Sequence, residues 1–487
     1  MFNSTGRLRA VTRAALPMAA AVGLGACATP LVTAPQPEVA VPPAWATVET
    51  GTAPAPELAQ YWTLLDDPLL TDLVEQAIAE NRDLAIGIAR LDQARAGLRG
   101  ARAGYLPTVN GSAGARRDVG DLADDDVRFS LGADAAWEVD LFGRISNNVA
   151  ASRADLAAAG YSLADIQRLI VGQVASQAIT ARALSQQLAI ARSSLAFQDD
   201  NLQLARWRNQ AGLVSSLDVE QARTQRAQTA ATIPLLESNL AATANAISTL
   251  IGEPPGRVLA AFEASEPVPV PRPPILTAFA APAEVLARRP DVRAAEADVV
   301  ASAARIGVAR ADLLPALRLT GSIGAGASPL ADIFDLVTGN LFAGLTQLIF
   351  DGGRTAARVD SAAAAARASL ASYEQAILRA LEEVESSATD QRSADERVAI
   401  TEEAVDAAQN SAFLARNQYE AGLTDFQTLL VIESQLLSAR NQLVGAEADR
   451  ATAFVRLTQA LGGGWSDLDY TLPIPGPAAG QDDRTAQ

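Results

Sequence analysis

The chain contains one long pattern twice, and this repeat limits what it can fold into. ARAGYLP at residues 101–107 returns as ARADLLP at 309–315, and RWRNQAGLVSSLDV at 206–219 returns as RNQYEAGLTDFQTL at 416–429, an offset of 208–210 positions. Each copy has the same predicted order of a helix, alternating segments, a very long helix, a tight turn and a second helix. Two copies of this length predict one pseudo-symmetric folding unit rather than a solenoid.

Segments with period-two alternation predict strands in both copies. From Val127 to Val139 apolar side chains occupy the odd positions, and mostly polar or small ones the even positions. This pattern is typical of a strand with one apolar and one wet face. The predicted strands lie at about 105–117, 127–140, 316–326 and 340–350, and the sequence does not assign the faces of the last one.

Strands of this length suit a bilayer, because a tilted strand of roughly ten residues crosses one. Four strands do not close on themselves, and an open sheet edge is not tolerated in lipid. Several chains would therefore share one barrel. The alternative is a half-buried sheet in a soluble α+β protein, which the small, Gly-rich and polar second face disfavours.

Long segments without proline predict unusually long helices. No Pro occurs from 108 to 233 or from 330 to 472, and helices are predicted at about 145–211, 216–251, 354–421 and 424–461. A helix of some 66 residues at ~1.5 Å per residue is about 100 Å long, which requires a coiled coil or a helical tube. Gly212 and Gly422 are predicted to end the longest helices. Ser215, Ser216 or Thr424 is predicted to cap the helix that follows.

The composition excludes several kinds of chemistry. The chain has 487 residues, no His, one Cys and 39 basic residues, all of them Arg. A Ser-His-Asp triad and a zinc site of Cys and His are therefore excluded. The net charge is −17, and removal of residues 1–26 with their three Arg makes it −20. This charge disfavours nucleic-acid binding, which requires basic surface.

The N-terminus has the pattern of an export signal. Basic residues precede the short apolar segment 14–26, which ends in Leu24-Gly25-Ala26-Cys27. This ending resembles the lipobox of bacterial lipoproteins, so that Cys27 is predicted to carry covalent lipid. A free or buried Cys after an ordinary signal is the alternative. The predicted organisation is a signal peptide, a lipidated Pro-rich tether, a first repeat, a linker, a second repeat and a flexible tail, at 1–26, 27–60, 61–252, 253–283, 284–465 and 466–487.

Three long motifs carry a resemblance to a known family. They are YWTLLDDPLLTDLVEQAIAENRDL at 61–84, LARRPDVRAAEADVVASAARIGVARADLLP at 286–315 and IFDGGR at 349–354. With them the chain resembles the TolC-like outer-membrane efflux factors of the OprM/NodT lipoprotein branch. The resemblance implies an α+β membrane protein that forms a homotrimer, with a twelve-stranded β-barrel of four strands per chain. An α-helical tunnel in the periplasm would continue this barrel.

The resemblance also implies a function. The expected role is a passive outer-membrane conduit of a tripartite efflux system, with no catalytic residue, metal or cofactor. A periplasmic adaptor and an inner-membrane pump, of the resistance-nodulation-division type, would be its partners. An outer-membrane conduit for ABC-type secretion, or export by a major-facilitator pump, is the alternative. An enzyme and a purely structural coiled-coil lipoprotein are more distant alternatives, and the alternating strand at 127–139 disfavours the latter.

The same resemblance places two kinds of site at the helical turns. The adaptor-docking tips would comprise Gly212, Leu213, Ser215, Gly422, Leu423 and Thr424, and the periplasmic gate would comprise Asp218, Gln427, Thr428 and Val431. Two positions depart from the family pattern. Thr424 replaces an Arg that would pair across the aperture, and Val431 replaces an inward-facing aspartate. The prediction is therefore a gate held mainly by packing, with Glu433 on a different helix face.

Overall fold

A computed structural model describes residues 32–47, 49–50, 58–119, 126–264, 268–274 and 278–466. The predicted signal peptide, the lipobox cysteine Cys27 and nearly all of the predicted tail lie outside the described residues. Among the described residues, none of the helices combines the length and the apolar character that crossing a membrane requires.

Most of the described elements recur in the same order in the two halves of the chain. The helices are α1 (Pro68–Glu80), α2 (Arg82–Ala103), α3 (Arg144–Gln210), α4 (Ser216–Leu250), α5 (Arg257–Ala264), α6 (Pro282–Arg288), α7 (Pro290–Ala311), α8 (Arg354–Glu420) and α9 (Phe426–Ala460). The strands are β1 (Glu49–Thr50), β2 (Thr108–Arg116), β3 (Arg128–Val139), β4 (Ala278–Phe279), β5 (Ala316–Ala327) and β6 (Val337–Thr346). Short 3-10 helices lie at Tyr61–Leu65 and Leu330–Asp332.

Four strands form one antiparallel sheet in the order β2-β3-β5-β6. Residues that pair directly across an antiparallel ladder point to the same face. Val109 pairs with Ala135, Ala135 with Gly321, and Gly321 with Leu341, so odd positions share one face throughout the sheet. Because α2 precedes β2 and α3 follows β3, the end of β2 and the start of β3 lie at the end of the sheet away from the helices, as do the end of β5 and the start of β6.

The register separates the residues of the sheet by chemistry. Odd positions carry only apolar side chains or Gly, and Leu341 on β6 is 88% exposed in the single chain. Even positions carry most of the polar residues, including Asn110, Asp134, Ser322 and Asn340 in one cross-strand row. The sheet therefore has one continuous apolar face, and its two outer strands, β2 and β6, leave their outer edges unpaired within the chain.

The last strand differs from its predicted position. The sequence predicts a strand at about 340–350, whereas β6 spans Val337–Thr346, so that it begins three residues earlier and residues 347–350 are not in a strand. Leu348, Ile349 and Phe350 continue the apolar composition beyond the ladder, which is why composition alone extended the strand. The register also assigns the faces that the sequence left open: Leu341 and Leu345 lie on the apolar face and Asn340 on the polar face.

The two 67-residue helices, α3 and α8, run from the sheet to the opposite end of the molecule. At ~1.5 Å per residue each is about 100 Å long. Beyond the middle of the molecule, α4 packs against α3, and α9 packs against α8. On the sheet side, α2 packs against α3, and α7 packs against both long helices. The long helices are therefore covered by two shorter helices placed one after the other.

The main hydrophobic core lies at the middle of α3. Buried side chains from α1, α4, α5 and α9 converge there with the 3-10 helix, including Leu73, Ile247, Phe262, Phe454 and Tyr61. A buried ion pair closes this core, with Arg182 Nε 2.8 Å and Nη2 2.9 Å from the two carboxylate oxygens of Asp67. The guanidinium of Arg182 also lies 5.2 Å from the ring centre of Phe262.

The N-terminal segment 32–47 lies along α8 and is attached to it by polar contacts. The backbone N–H of Glu38 donates to Glu374, and the backbone N–H groups of Ala46 and Thr47 donate to Glu385 at 2.6 and 3.2 Å. Trp45 is buried and donates its indole N–H to the Ala280 carbonyl at 2.8 Å. The segment therefore follows the side of the helical body rather than leaving it.

Candidate functional site

Both long helices end in the same hydrogen-bonded turn. Leu213 donates its N–H to the Arg208 carbonyl at 2.8 Å, and Leu423 donates to Gln418 at 2.8 Å. Gly212 and Gly422 adopt left-handed backbone angles, with φ of 74° and 72°. These are Schellman turns, in which a left-handed glycine allows the last helical carbonyls to be satisfied. Gly212 and Gly422 therefore end the helices as the sequence predicts.

The turns expose apolar side chains at the end of the molecule. Leu213 is 72% exposed and Leu423 is 78% exposed in the single chain. The two leucines follow their glycines at equivalent positions. Both turns therefore present a leucine to solvent, and their assignment to adaptor docking stays a prediction.

The helices that follow the turns begin with different caps. Ser215 and Asp218 form a capping box. The Ser215 N–H donates to the Asp218 carboxylate at 2.9 Å, and the Asp218 N–H donates to the Ser215 hydroxyl at 3.3 Å. On α9 the cap is Asp425, whose carboxylate accepts from the Thr428 N–H at 2.7 Å. The prediction of Thr424 as this cap is wrong by one residue, because Asp425 offers a stronger acceptor at the N-cap position. Hydrogen bonds from Thr428 lower the pKa of Asp425.

A small core joins the two helical hairpins behind the turns. Tyr419 and Phe426 lie with ring centres 5.4 Å apart, and Arg208 lies 4.5 Å from the centre of the Tyr419 ring. Leu202 and Leu429 are buried in the same cluster. The two turns are thus held side by side by contacts between α3, α8 and α9.

Two of the predicted gate residues line one groove between α4 and α9. This groove has a volume of about 540 Å³ and is lined by Leu217, Glu220, Gln221, Thr224, Gln225, Gln228, Gln427, Leu430, Val431, Ser434 and Gln435. Gln427 and Val431 lie here, whereas Asp218 and Thr428 do not contribute to its lining. The carboxylate of Asp218 is instead engaged at the capping box. The predicted gate is therefore divided between a groove and a turn.

Glu433 lies on the other side of α9. Its carboxylate accepts from Asn201 on α3 at 2.7 Å and from Arg416 on α8 at 3.2 Å, and its side chain is only 12% exposed. It therefore bridges three helices and is absent from the groove, in agreement with its predicted difference in face. Sequence spacing does not predict these partners, which lie 232 and 17 residues away.

Among the described residues, no cluster of three or more acidic, His or Cys side chains has a geometry suited to a metal ion. The polar side chains that line the groove are carboxylates, amides and hydroxyls.

Comparison with known proteins identifies the class to which this architecture belongs. The family model of the outer membrane efflux protein matches residues 73–253 and 281–463, so one model matches both halves. The chain belongs to this family, which consists of channel proteins and not of enzymes. The resemblance inferred from the motifs is thereby confirmed. The chain is an outer-membrane efflux channel component, with its place in the outer membrane.

Particular relatives extend this finding over nearly the whole chain. The pyoverdine export outer membrane protein OpmQ of Pseudomonas aeruginosa is 33% identical over 439 residues, which cover 88% of this chain and 92% of the relative. Nodulation protein T of Rhizobium leguminosarum bv. trifolii is 31% identical and covers 84% of this chain and 88% of its own length. The solved outer-membrane channel OprN superimposes with a TM-score of 0.78 at 32% identity, covering 89% of this chain and 99% of OprN.

Proposed function

We propose that three copies of the chain close one twelve-stranded β-barrel, with the apolar odd face toward lipid and the polar even face toward the pore. The observation that carries this proposal is the sheet register, which places every odd residue of four strands on one apolar face. The open edges of β2 and β6 support closure between copies, because unpaired backbone groups are costly in hydrocarbon. The matching order of elements in the two halves supports a pseudo-symmetric repeat within each copy.

In this assembly the helices form a tunnel that opens at the turns. The exposed leucines at Leu213 and Leu423 and the neighbouring residues Ser215 and Thr424 would dock a periplasmic adaptor. An inner-membrane pump, of the resistance-nodulation-division type, would deliver the cargo. Relatives are named for pyoverdine export, solvent efflux and cation efflux, so the pump rather than this conduit would select the cargo.

We further propose that the gate is held mainly by packing. Val431 and Gln427 line the groove between α4 and α9, and the acidic Glu433 is turned away toward Asn201 and Arg416. The acidic side chain of the groove would therefore be Glu220 on α4, with none at position 431. Asp218 would act by fixing the first turn of α4.

Covalent lipid on Cys27 is the remaining part of the proposal. The segment 32–47 is held on the side of α8, where the backbone N–H of Glu38 donates to Glu374. Residues 32–37 precede this contact in the sequence and lead back toward Cys27. Glu374 lies 20 residues from the start of α8 at the sheet, which is about 30 Å along the helix. Ten residues separate Cys27 from Glu38, and these eleven Cα–Cα steps span at most about 36 Å, sufficient to return to the membrane surface.

Conductance and cellular phenotype test the proposed function together. The purified full chain is expected to have the mass of three copies and to form discrete channels in planar bilayers. Deletion in the host is expected to increase susceptibility to some of a panel of drugs, metals, dyes and bile salts. A monomeric protein without conductance would contradict the assembly, and an unchanged susceptibility profile would contradict general efflux.

A further inference from the structure

The two loops at the outer end of the sheet have opposite chemistry. The loop after β2 is acidic, with Asp118 and Asp126 among its described residues. The loop after β5, residues 328–336, instead carries Leu330, Ile333, Phe334 and Leu336 within nine positions. We name residues 328–336 the apolar loop. A group of large apolar side chains on a surface loop indicates contact with a membrane or with another protein surface.

The apolar loop lies against the odd face of the sheet. Ile333 is buried, and together with Leu330 and Phe334 it borders a cleft of about 640 Å³. The other large or methyl-bearing residues of that cleft are Ala113, Ala115, Phe129 and Leu131, all at odd positions of β2 and β3. The loop therefore leans from the end of β5 across the apolar side of its own chain.

This position excludes one other role for the apolar loop. It does not plug the pore, because the even residues that would line the pore are on the opposite side of the sheet. Its contacts within the chain are with the apolar side of β2 and β3. What remains exposed is apolar: Phe334 is 68% and Leu336 is 66% exposed. Phe334 and Leu336 immediately precede β6, whose residues Val337 and Leu341 lie on the apolar face of the sheet.

We propose that the apolar loop is a second membrane anchor, in which Leu330, Phe334 and Leu336 insert among the acyl chains of the outer leaflet. This inference rests on the proposed function, which directs the odd face toward lipid. Asp332 and Asp335 would stay at the level of the headgroups, since charged residues are costly deeper in hydrocarbon. Aromatic side chains such as that of Phe334 are favoured at this boundary of a membrane barrel.

Site-directed spin labelling of the full chain in lipid vesicles tests the proposal. Cys27 is the only cysteine of the chain. When lipid blocks Cys27, the spin label reacts only with the cysteine that a variant introduces. The variants are Phe334→Cys in the apolar loop, Leu341→Cys on the odd face of β6 and Asp118→Cys in the acidic loop. Labelling of the otherwise unchanged chain reports any free Cys27, and that background is removed with Cys27→Ala. The measurement is collision of the label with oxygen, which enters lipid, and with a water-soluble nickel chelate.

The label at residue 334 is expected to match residue 341, with a several-fold higher ratio of oxygen to nickel collisions than at residue 118. A nickel accessibility at 334 equal to that at 118, with 341 still in lipid, would overturn the anchor and leave the proposed function intact. Water exposure at both 334 and 341 would overturn both. A label at residue 335, in Asp335→Cys, is expected to report the level of the headgroups. It distinguishes insertion of the apolar loop into lipid from burial of the loop against protein.

Discussion

Asp67 shows how a single residue can join distant parts of this chain. Its carboxylate caps α1 through the Leu69 and Leu70 N–H groups and receives both hydrogen bonds from Arg182, 115 positions later in the sequence. Burial opposes its ionisation, but the hydrogen bonds and charge of Arg182 outweigh burial and lower the pKa of Asp67. Local propensity predicts the cap, whereas nothing in the sequence spacing predicts Arg182 as the partner.

Asp67→Asn is expected to destabilise the chain by about 3–5 kcal/mol, because it leaves Arg182 buried without its charge partner. The folded pKa of Asp67 is depressed, so its contribution is complete above the unfolded pKa and is lost as pH falls through the folded value. The free energy of unfolding of the variant should therefore change less between neutral and acidic pH than that of the parent. Denaturant unfolding followed by tryptophan fluorescence at both pH values measures this.

Asp449→Asn is the matched control for that change. Asp449 pairs with Arg397 at 3.0 Å, but both side chains are more than half exposed. Exposed pairs contribute roughly 0–1 kcal/mol, so this variant should be close to the parent. Equal losses in the two variants would contradict the assigned importance of the Asp67 pair.

Val431→Asp is expected to convert the aperture toward cation selectivity. It would add a second carboxylate, beside that of Glu220, to the groove between α4 and α9 in each copy. Bilayer recordings should show block by divalent cations from the helical side, stronger than in the parent. Val431→Asn controls for size and polarity. Strong divalent block of the parent channel would show that the packing gate is wrong.

At the scale of elements, the helical turns combine predictable and unpredictable parts. The glycines at 212 and 422 are predictable, because a left-handed residue after a long helix favours glycine. The caps are harder to predict, since Ser216 is the same residue type as its neighbour Ser215, and Thr424 is a possible cap next to the better one, Asp425. The backbone conformation determines which residue is the cap, and it places Ser215 and Asp425 at the N-cap positions of α4 and α9.

Ser215→Ala is expected to fray the first turn of α4 and to cost about 1 kcal/mol, because it removes the side chain that accepts the Asp218 N–H. Ser216→Ala changes the next residue, which is not the cap, and should have little effect. Hydrogen exchange of residues 216–220 distinguishes the two variants. Equal exchange would place the cap elsewhere.

The strands show where periodicity is sufficient and where it is not. β3 alternates over thirteen positions and was located within a residue at each end, at Arg128–Val139. β6 has glycine and phenylalanine among its even positions, so its faces became clear only through pairing with β5. Register is a property of two strands, and a single sequence segment does not contain it.

Leu341→Asp and Asn340→Asp place the same charge on opposite faces of β6. Charge on the lipid side of a barrel costs up to roughly 2–4 kcal/mol, less for Asp than for Arg, whereas the pore side tolerates it. Leu341→Asp should therefore prevent membrane insertion, and Asn340→Asp should retain conductance. Heat-modifiable migration of extracted membranes measures insertion. The reverse outcome would invert the assigned faces.

At the scale of the whole molecule, corresponding residues do related work in the two halves. Asn81 donates to the Leu250 carbonyl at 2.7 Å, and Arg289 donates to the Ala460 carbonyl at 3.1 Å. Each contact closes the end of a helix that returns from a turn. Arg289 adds bonds to Asp291 and Glu383, both at 2.7 Å, so the second half carries more charge at the same place. The halves thus share architecture and differ in chemistry.

The open edges of β2 and β6 have a genetic consequence. In the proposed trimer each copy supplies both edges, so one defective strand interrupts the wall for all three chains. In a cell that makes equal amounts of normal and Leu341→Asp chains, roughly one assembly in eight would contain only normal copies, if mixing is random. Such a variant is therefore expected to be dominant over the normal gene, whereas an enzyme of independent subunits would keep half of its activity.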